Sequence, residues 1–123
     1  MKATMIIFAV CFLIQGAFAS NGGNEKHIIQ DMGKGLQKIT WYHDNGTIAE
    51  QGFYLNGQKH GTWLTFNDNG AKVAEANYNN NLKDGSCFVL HNNGKVRYEI
   101  IYSNNKKVKA TEYDTLGNVV ASH

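Results

Sequence analysis

Residues 61–85 read GTWLTFNDNGAKVAEANYNNNLKDG, a unit that starts and ends with glycine and carries an Asp-Asn-Gly turn. The glycine of this turn, Gly70, recurs as Gly46, Gly94 and Gly117, at spacings of 24, 24 and 23 residues. A fixed period of this length is typical of repeat proteins, in which each copy stacks on its neighbours. We therefore interpret the chain as copies of one unit.

Each copy of the unit predicts two strands and two turns. The block before the glycine turn ends in a large side chain, at Tyr42, Phe66, Leu90 and Tyr113. The block after it ends in tyrosine, at Tyr54, Tyr78 and Tyr102. A second turn follows, with one column formed by Gly57, Asn81 and Asn105. Glycine and asparagine tolerate the left-handed backbone that tight hairpin turns require.

Alternation of side chains in the third copy indicates how the strands lie. One set of alternate residues is apolar or aromatic, namely Val96, Tyr98, Ile100 and Tyr102. The other set is mostly charged, namely Lys95, Arg97, Glu99 and Ile101. This pattern is typical of a half-buried strand. The predicted fold class is all-β, an elongated single-sheet antiparallel β-meander built from repeats of about 24 residues.

The N-terminal residues differ from the repeats. Lys2 precedes an apolar run at 5–14, and small residues stand at Ala17 and Ala19. This order predicts a signal peptide at 1–19 with cleavage after Ala19. The run is too short to span the roughly 30 Å hydrocarbon core of a bilayer as a helix, and an uncleaved anchor is the alternative. We expect an exported protein that is periplasmic, held in the cell envelope or secreted.

The remaining chain divides into a flexible linker and a repeat domain. The linker is expected at 20–26 and the domain at 27–122, with a half repeat at 27–37, repeats at 38–61, 62–85 and 86–108, and a half repeat at 109–122. Gly33 lies 24 residues before Gly57 and marks the turn column in the first half repeat. Terminal halves have one neighbour each, so they should fray first.

Charge and cysteine content exclude several classes of partner. The chain has 12 basic and 10 acidic residues and no long basic stripe, so a nucleic-acid partner is not expected. After cleavage Cys87 is the one cysteine left, which predicts neither an internal disulfide nor a disulfide-linked partner. The column of Cys87 holds Ile39 and Trp63, which favours a buried thiol over a nucleophile.

The histidines are too widely spaced to hold a metal. His43 and His91 share a column but lie two repeats apart, which is about 19 Å across a sheet. His60 and Asp84 would lie about 9 to 10 Å apart, too far to share an ion. We expect solvated histidines beside the turns, and no metal or other cofactor.

Acidic residues recur in the same way as the turns. They are Glu50, which is offset by one residue, and Glu75 and Glu99. Recurrence argues against catalysis, because an acid–base pair needs one site with special surroundings. Cross-strand pairing with Lys72, Lys95 or Arg97 is the expected role. We predict no catalytic residues and no enzyme.

The repeat unit resembles the MORN repeat variant family, whose name abbreviates membrane occupation and recognition nexus. The matching positions are Gly61 and Gly85, the glutamates Glu75 and Glu99, and the second turn at 56–59. Asn81 and Asn105 depart from the family pattern, which has glycine there. The resemblance implies an elongated single-sheet meander. Some bacterial relatives are named as antitoxin or immunity partners of secreted toxins.

The aromatic residues are the remaining candidates for a binding surface. Five are selected, namely Trp41, Trp63, Tyr54, Tyr78 and Tyr102. They either stack along the sheet and stabilise it, or stay exposed and dock a partner. The functional hypothesis is a non-enzymatic exported module that binds a protein or peptide through a sheet face or edge, with an antitoxin-type role as one form of it. The alternative is a cell-envelope module that binds lipid or glycan.

Overall fold

A computed structural model describes residues 26–123. The predicted signal peptide, its cleavage after Ala19 and the linker up to residue 25 lie outside the described residues. The described part forms ten β-strands: β1 His27–Gly33, β2 Leu36–Tyr42, β3 Ile48–Leu55, β4 Gln58–Phe66, β5 Lys72–Asn79, β6 Leu82–Lys83, β7 Gly85–Leu90, β8 Val96–Ser103, β9 Lys106–Tyr113 and β10 Val119–Ser122.

The strands form one open antiparallel sheet in the order β1-β2-β3-β4-β5-β7-β8-β9-β10, and β6 pairs with β5. Each strand position therefore pairs with the next one along the chain, which is a meander. The two-residue strand β6 and strand β7 occupy one position, interrupted at Asp84, whose amide donates to the carbonyl of Asn77. The predicted all-β single-sheet meander is confirmed.

Two kinds of turn lie at opposite borders of the sheet. The first-turn border carries the loops at 43–47, 67–71, 91–95 and 114–118, each closed by backbone hydrogen bonds. The second-turn border carries two-residue turns at 34–35, 56–57, 80–81 and 104–105, where all eight residues have positive φ. Strand β1 continues to Gly33, so its turn uses Lys34 and Gly35, two residues beyond the column position expected from the 24-residue spacing.

Most of the buried residues lie on one side of the sheet, which we call the core face, whereas Thr40 and Thr111 are buried on the other side. A row of neighbouring residues, most of them directly opposed, crosses this face from β2 to β9: Ile39, Gly52, Trp63, Ala76, Cys87, Ile100 and Ala110. Large side chains in this row neighbour small ones. The indole of Trp63 covers Gly52, and its Nε1 donates to the carbonyl of Phe53 at 3.1 Å. A single layer can bury a core in this way because the rings lie flat over positions that lack bulk.

The strand periodicity and the position of Cys87 agree with the sequence predictions. In β8 the residues Tyr98 and Ile100 are buried, whereas their neighbours Arg97 and Glu99 are only half-buried. Cys87 is 1% exposed and belongs to the core cluster. The expectation of a buried thiol is confirmed.

Exposure rises toward both ends of the array. Every residue of β1 is exposed, and in β10 only Ala121 is half-buried. The buried cluster instead spans β2 to β9. The middle copies therefore contain most of the buried surface, as stacking of repeats requires.

A Gly52→Ala substitution should destabilise the sheet, because the added methyl group would overlap the indole of Trp63. We expect the free energy of unfolding, measured by urea denaturation, to fall by about 1–3 kcal/mol. In a Trp63→Leu background the same change should cost less. Equal losses in both backgrounds would show that the ring contact is not the cause.

Cys87 should resist alkylation by iodoacetamide in the folded protein and react after denaturation, because its thiol is enclosed in the core. A control is Ser103→Cys in a Cys87→Ala background, since Ser103 is exposed at the end of β8. The control thiol should react at the rate of a free cysteine. Rapid labelling of native Cys87 would contradict its burial.

Candidate functional site

Three tyrosines and three lysines alternate along the core face near the second-turn border. Across the two-residue turns at 56–57, 80–81 and 104–105 a tyrosine is directly opposite a lysine in the strand register. The six residues, which we call the Tyr–Lys row, are Tyr54, Lys59, Tyr78, Lys83, Tyr102 and Lys107. Sequence reasoning found the tyrosines but not the lysines, although Lys59, Lys83 and Lys107 also recur every 24 residues.

Two lysines of this row, Lys59 and Lys83, lie over aromatic rings. The Nζ of Lys59 is 4.3 Å from the ring centroid of Trp63 and 4.9 Å from that of Tyr78. The Nζ of Lys83 is 5.1 Å from the ring centroid of Tyr102. A cation over an aromatic face is held by the quadrupole of the ring, while the aliphatic stem covers apolar surface. The ammonium groups of Lys59 and Lys83 are therefore held at fixed positions on an aromatic base.

Two of the five predicted surface aromatics are not surface residues. Trp63 is 2% exposed and Tyr78 is 6% exposed. Trp41, Tyr54 and Tyr102 are half-buried and pack against the core cluster. The prediction of an exposed aromatic surface is wrong for Trp63 and Tyr78. Lysine side chains cover these rings, and small residues on adjacent strands leave room for them to lie against the sheet. What reaches solvent is a mixed surface of tyrosine and lysine.

The three recurrent glutamates do not share one environment. Glu50 is 5% exposed on the core face, directly opposite Trp41 and Thr65. Glu75 lies on the opposite face, where its carboxylate is 3.9 Å from Lys72 of the same strand. The one-residue offset of Glu50 moves it to the other side of the sheet, since strand side chains alternate. The interpretation of Glu50 as a third member of this set is therefore wrong.

Glu99 also lies on the opposite face, and it accepts a hydrogen bond from the hydroxyl of Tyr113 at 3.1 Å. The predicted cross-strand pairing of the recurrent acids with Lys95 or Arg97 is not seen. The partner of Glu99 on the neighbouring strand is a tyrosine hydroxyl.

The buried Glu50 and the half-buried Lys59 shift each other's protonation. Burial raises the pKa of Glu50, and the positive charge of Lys59 partly offsets this. Burial also lowers the pKa of Lys59, with Glu50 acting to raise it and Lys83 to lower it. Loss of solvent is the larger cause for both groups. The end of the row near β3 and β4 therefore holds two desolvated groups of opposite charge.

A polar depression of about 240 Å³ lies beside the row, lined by Lys59, Tyr78, Asn81 and Asn105. The side-chain oxygen of Asn81 accepts from the amide of Lys59 at 2.8 Å, and that of Asn105 accepts from the amide of Lys83 at 3.4 Å. With these oxygens engaged, the depression is lined by the NH₂ groups of two asparagines and by an ammonium, which are hydrogen-bond donors. Such a lining suits a carboxylate or another anion.

The family can now be identified from this repeated arrangement. Residues 38–56, 59–80 and 83–104 match the family described as MORN repeat variant, about half of the chain. This chain belongs to that family. The resemblance inferred from Gly61, Gly85 and the recurrent glutamates is confirmed, and each matched MORN repeat contains one tyrosine of the Tyr–Lys row.

Solved structures with the same sheet are distant in sequence. The chain is similar to a crystal structure of TarM, with 12% identity and a TM-score of 0.54, over 95% of this chain and 21% of that one. It is also similar to a mutant of S. aureus TarM in complex with Fondaparinux, alpha-GlcNAc-glycerol and UDP, with 12% identity, a TM-score of 0.55, and coverage of 95% and 22%. The chain spans about a fifth of these proteins, so the likeness concerns the fold alone. No curated protein gives a significant sequence match.

The turn histidines join successive MORN repeats. The Nε2 of His43 donates to the carbonyl of Phe66 at 2.9 Å, and the Nε2 of His91 donates to the carbonyl of Tyr113 at 2.8 Å. Both bonds are partly buried. The expectation of solvated histidines is wrong for these two, because each imidazole reaches across to the end of a strand one repeat further on.

The central junction between first turns lacks this bond. Asn67 occupies the histidine column there, and its side-chain oxygen instead accepts from the amides of Asn69 and Ala71 in its own turn. A second depression, of about 530 Å³, opens at this junction between the turns at 67–71 and 91–95. The first-turn border is therefore bonded by side chains at its two outer junctions, whereas its central junction is open.

Other chemistry is sparse in the part of the chain that the structure covers. Among residues 26–123 no three side chains of histidine, cysteine, aspartate or glutamate are close enough to hold a metal ion. The Nδ1 of His60 is buried without a hydrogen-bond partner. In the same range no helix is long and apolar enough to cross a membrane.

Replacing Glu50 with glutamine should stabilise the protein at neutral pH. Because the pKa of Glu50 is raised on folding, the stability it contributes falls as pH rises from its ordinary pKa of 4.5 through the raised value. The cost of the buried charge is therefore greater at pH 7 than at pH 4. We expect Glu50→Gln to raise the free energy of unfolding at pH 7 and to lose this gain toward pH 4, measured by urea denaturation. Glu75→Gln is the control and should show no such gain.

Proposed function

We propose that this protein is a non-catalytic, exported MORN-repeat module that binds a protein partner through the Tyr–Lys row on its core face. The observation that supports this most directly is the polar depression at Lys59, Tyr78, Asn81 and Asn105. It is flanked by aromatic rings and lined by hydrogen-bond donors. A segment of a partner protein with acidic side chains has the matching chemistry.

The repetition of the site favours an extended partner. Lysines one repeat apart are two strand positions apart, so the ammonium groups of Lys59, Lys83 and Lys107 follow one another at about 10 Å. Their exposure differs along the row, since Lys59 is half-buried, Lys83 is buried and Lys107 is exposed. A chain with acidic side chains at matching intervals could contact more than one repeat, and several weak charge contacts add orientation as well as affinity.

Tyrosine and lysine also suit the alternative function, in which the row binds an anionic lipid or an acidic glycan of the cell envelope. The half-buried tyrosines supply apolar surface and the lysines supply positive charge. Anionic membranes select broad basic patches. We favour a protein partner because the lysines instead occupy a single line on one face. Export rests on the N-terminal sequence pattern, and an antitoxin-type role depends on a partner toxin.

The test compares two double variants of equal net charge. Lys59→Met with Lys107→Met removes one half-buried and one exposed charge from the row. Lys38→Met with Lys109→Met removes a half-buried and an exposed charge from the opposite face. We expect a stoichiometric protein from envelope or secreted fractions to be retained by the wild-type protein and the control pair, and to be at least about tenfold depleted with the row pair.

Co-sedimentation with anionic liposomes and with cell-wall material, in the absence of other proteins, separates the two functions. Sedimentation that the row pair abolishes would support the lipid or glycan function over the proposed one. Equal retention of the protein partner by all three forms would show that the row is not the binding site. Circular dichroism checks that the variants are folded.

A further inference from the structure

We propose that the edge strand β1 pairs with the β1 strand of a second copy of this chain, antiparallel and centred on Ile29, so that two sheets join into one. This inference is independent of the proposed function. It rests on the exposure of β1, on the direction of its backbone groups and on a two-fold pattern in its side chains.

The first five residues of strand β1, from His27 to Asp31, lack the features that normally protect a sheet edge. Its exposed apolar side chains are Ile28 at 53%, Ile29 at 53% and Met32 at 55%. Its pairing with β2 is regular from His27 to Asp31, and the strand contains neither lysine nor proline. Edge strands are usually blunted by lysine, proline, a bulge or short length. The register shift of β1 lies at its end, between Asp31 and Gly33, so the regular edge from His27 to Asp31 is a template for another strand.

The other edge of the sheet is protected. Strand β10 has four residues, and its register with β9 shifts between Val119 and Ala121. Short length and a bulge both disrupt further pairing. The two edges are therefore not equivalent, although Val119 and Val120 are also exposed.

The backbone of β1 directs its free groups outward at three alternate residues. The amide of Tyr42 donates to the carbonyl of Lys26, and the register pairs His27 with Trp41 and Ile29 with Ile39. In an antiparallel ladder hydrogen-bonded pairs alternate with pairs that are not bonded. His27, Ile29 and Asp31 consequently fall in the positions whose N–H and C=O groups point away from β2.

These same three residues form a pattern that is complementary to itself. In an antiparallel pair centred on Ile29, each Ile29 is opposite the partner's Ile29, and each His27 is opposite the partner's Asp31. The two Ile29 side chains would pack together at the centre, and on either side the imidazole of His27 would face the carboxylate of Asp31. All three pairs would be hydrogen-bonded ones, giving about six backbone hydrogen bonds.

The side chains are already held in place for this pairing. The ring of His27 packs on that of Trp41, with centroids 4.5 Å apart. One carboxylate oxygen of Asp31 accepts from the amide of Gly33 at 2.8 Å, so the other oxygen faces no partner within its own turn. Pre-positioned side chains lose less entropy on association.

A second copy fits this edge better than an unrelated strand does. A two-fold axis through Ile29 places His27 of each copy opposite Asp31 of the other, so both of these pairs form at once. One pair of strands buries less surface than a standard protein interface. We therefore expect a reversible dimer with a dissociation constant on the order of micromolar.

Sedimentation equilibrium of the purified full chain across a range of concentrations tests the dimer. We expect a monomer–dimer equilibrium that Ile29→Lys weakens by at least about 100-fold, because lysine at the centre of an edge opposes pairing. The matched control is Val120→Lys at the other edge, which should leave the dimer intact. Loss of the dimer in Val120→Lys and not in Ile29→Lys would overturn the proposal, as would a monomer at all concentrations.

Charge exchange tests the register. His27→Glu places two carboxylates opposite each other, and Asp31→Lys places lysine opposite histidine, so each variant alone should dimerise about tenfold more weakly. Mixing the two variants restores unlike pairs on both sides, and the mixture should form a heterodimer tighter than either homodimer. Failure of mixing to restore association would overturn the centring on Ile29. Asp31→Asn keeps an acceptor for Gly33 and reports the loss of charge alone.

Hydrogen exchange distinguishes the second copy from another occupant, the residues upstream of Lys26 in the same chain. Protection of the amides of His27, Ile29 and Asp31 should rise with protein concentration and track the dimer fraction. Protection that is independent of concentration, in a protein that sediments as a monomer, would assign the edge to the upstream residues and overturn the proposal.

Discussion

The whole structure depends on one packing constraint, which is that a single-layer sheet must bury its core without a second layer. The row through Gly52, Trp63 and Ala76 meets that constraint by placing a large ring over positions with little or no side chain. Dispersion contacts that a second sheet would supply come instead from neighbouring strands of the same sheet. For this reason the core depends on which residues are opposite each other more than on the total apolar content.

The same constraint explains why charged groups lie on the core face. A single layer has no apolar lid, and the lysine stems of the Tyr–Lys row cover the rings that a lid would otherwise cover. The rings beneath them hold the ammonium groups of Lys59 and Lys83 in place. The same side chains therefore contribute to stability and to the proposed binding chemistry. The buried carboxylate of Glu50 interacts electrostatically with Lys59 of this row.

Much of this fold could be predicted from the sequence, because its determinants are local. The period of the glycine turns predicts the meander, alternation in 96–102 predicts the buried face of β8, and the column of Cys87 predicts its burial. Relations between strands could not be predicted equally well. The face of Glu50 depends on a one-residue offset whose effect is known only once the bulges are placed. The bonds of His43 and His91 depend on how neighbouring turns approach each other.

The two borders of the sheet are joined to different extents, and this has a mechanical consequence. At the second-turn border Asn81 and Asn105 each bind the preceding repeat through the backbone amide and the side-chain oxygen. At the first-turn border the middle junction, where Asn67 replaces histidine, has no equivalent side-chain bond among the described residues. Within residues 26–123, repeats of this sheet are hydrogen-bonded to each other along the second-turn border, but their turns are not bonded by side chains at the centre of the first-turn border. Bending should concentrate at the junction of β5 and β7, so that the curvature of the array can change without breaking its strand pairing.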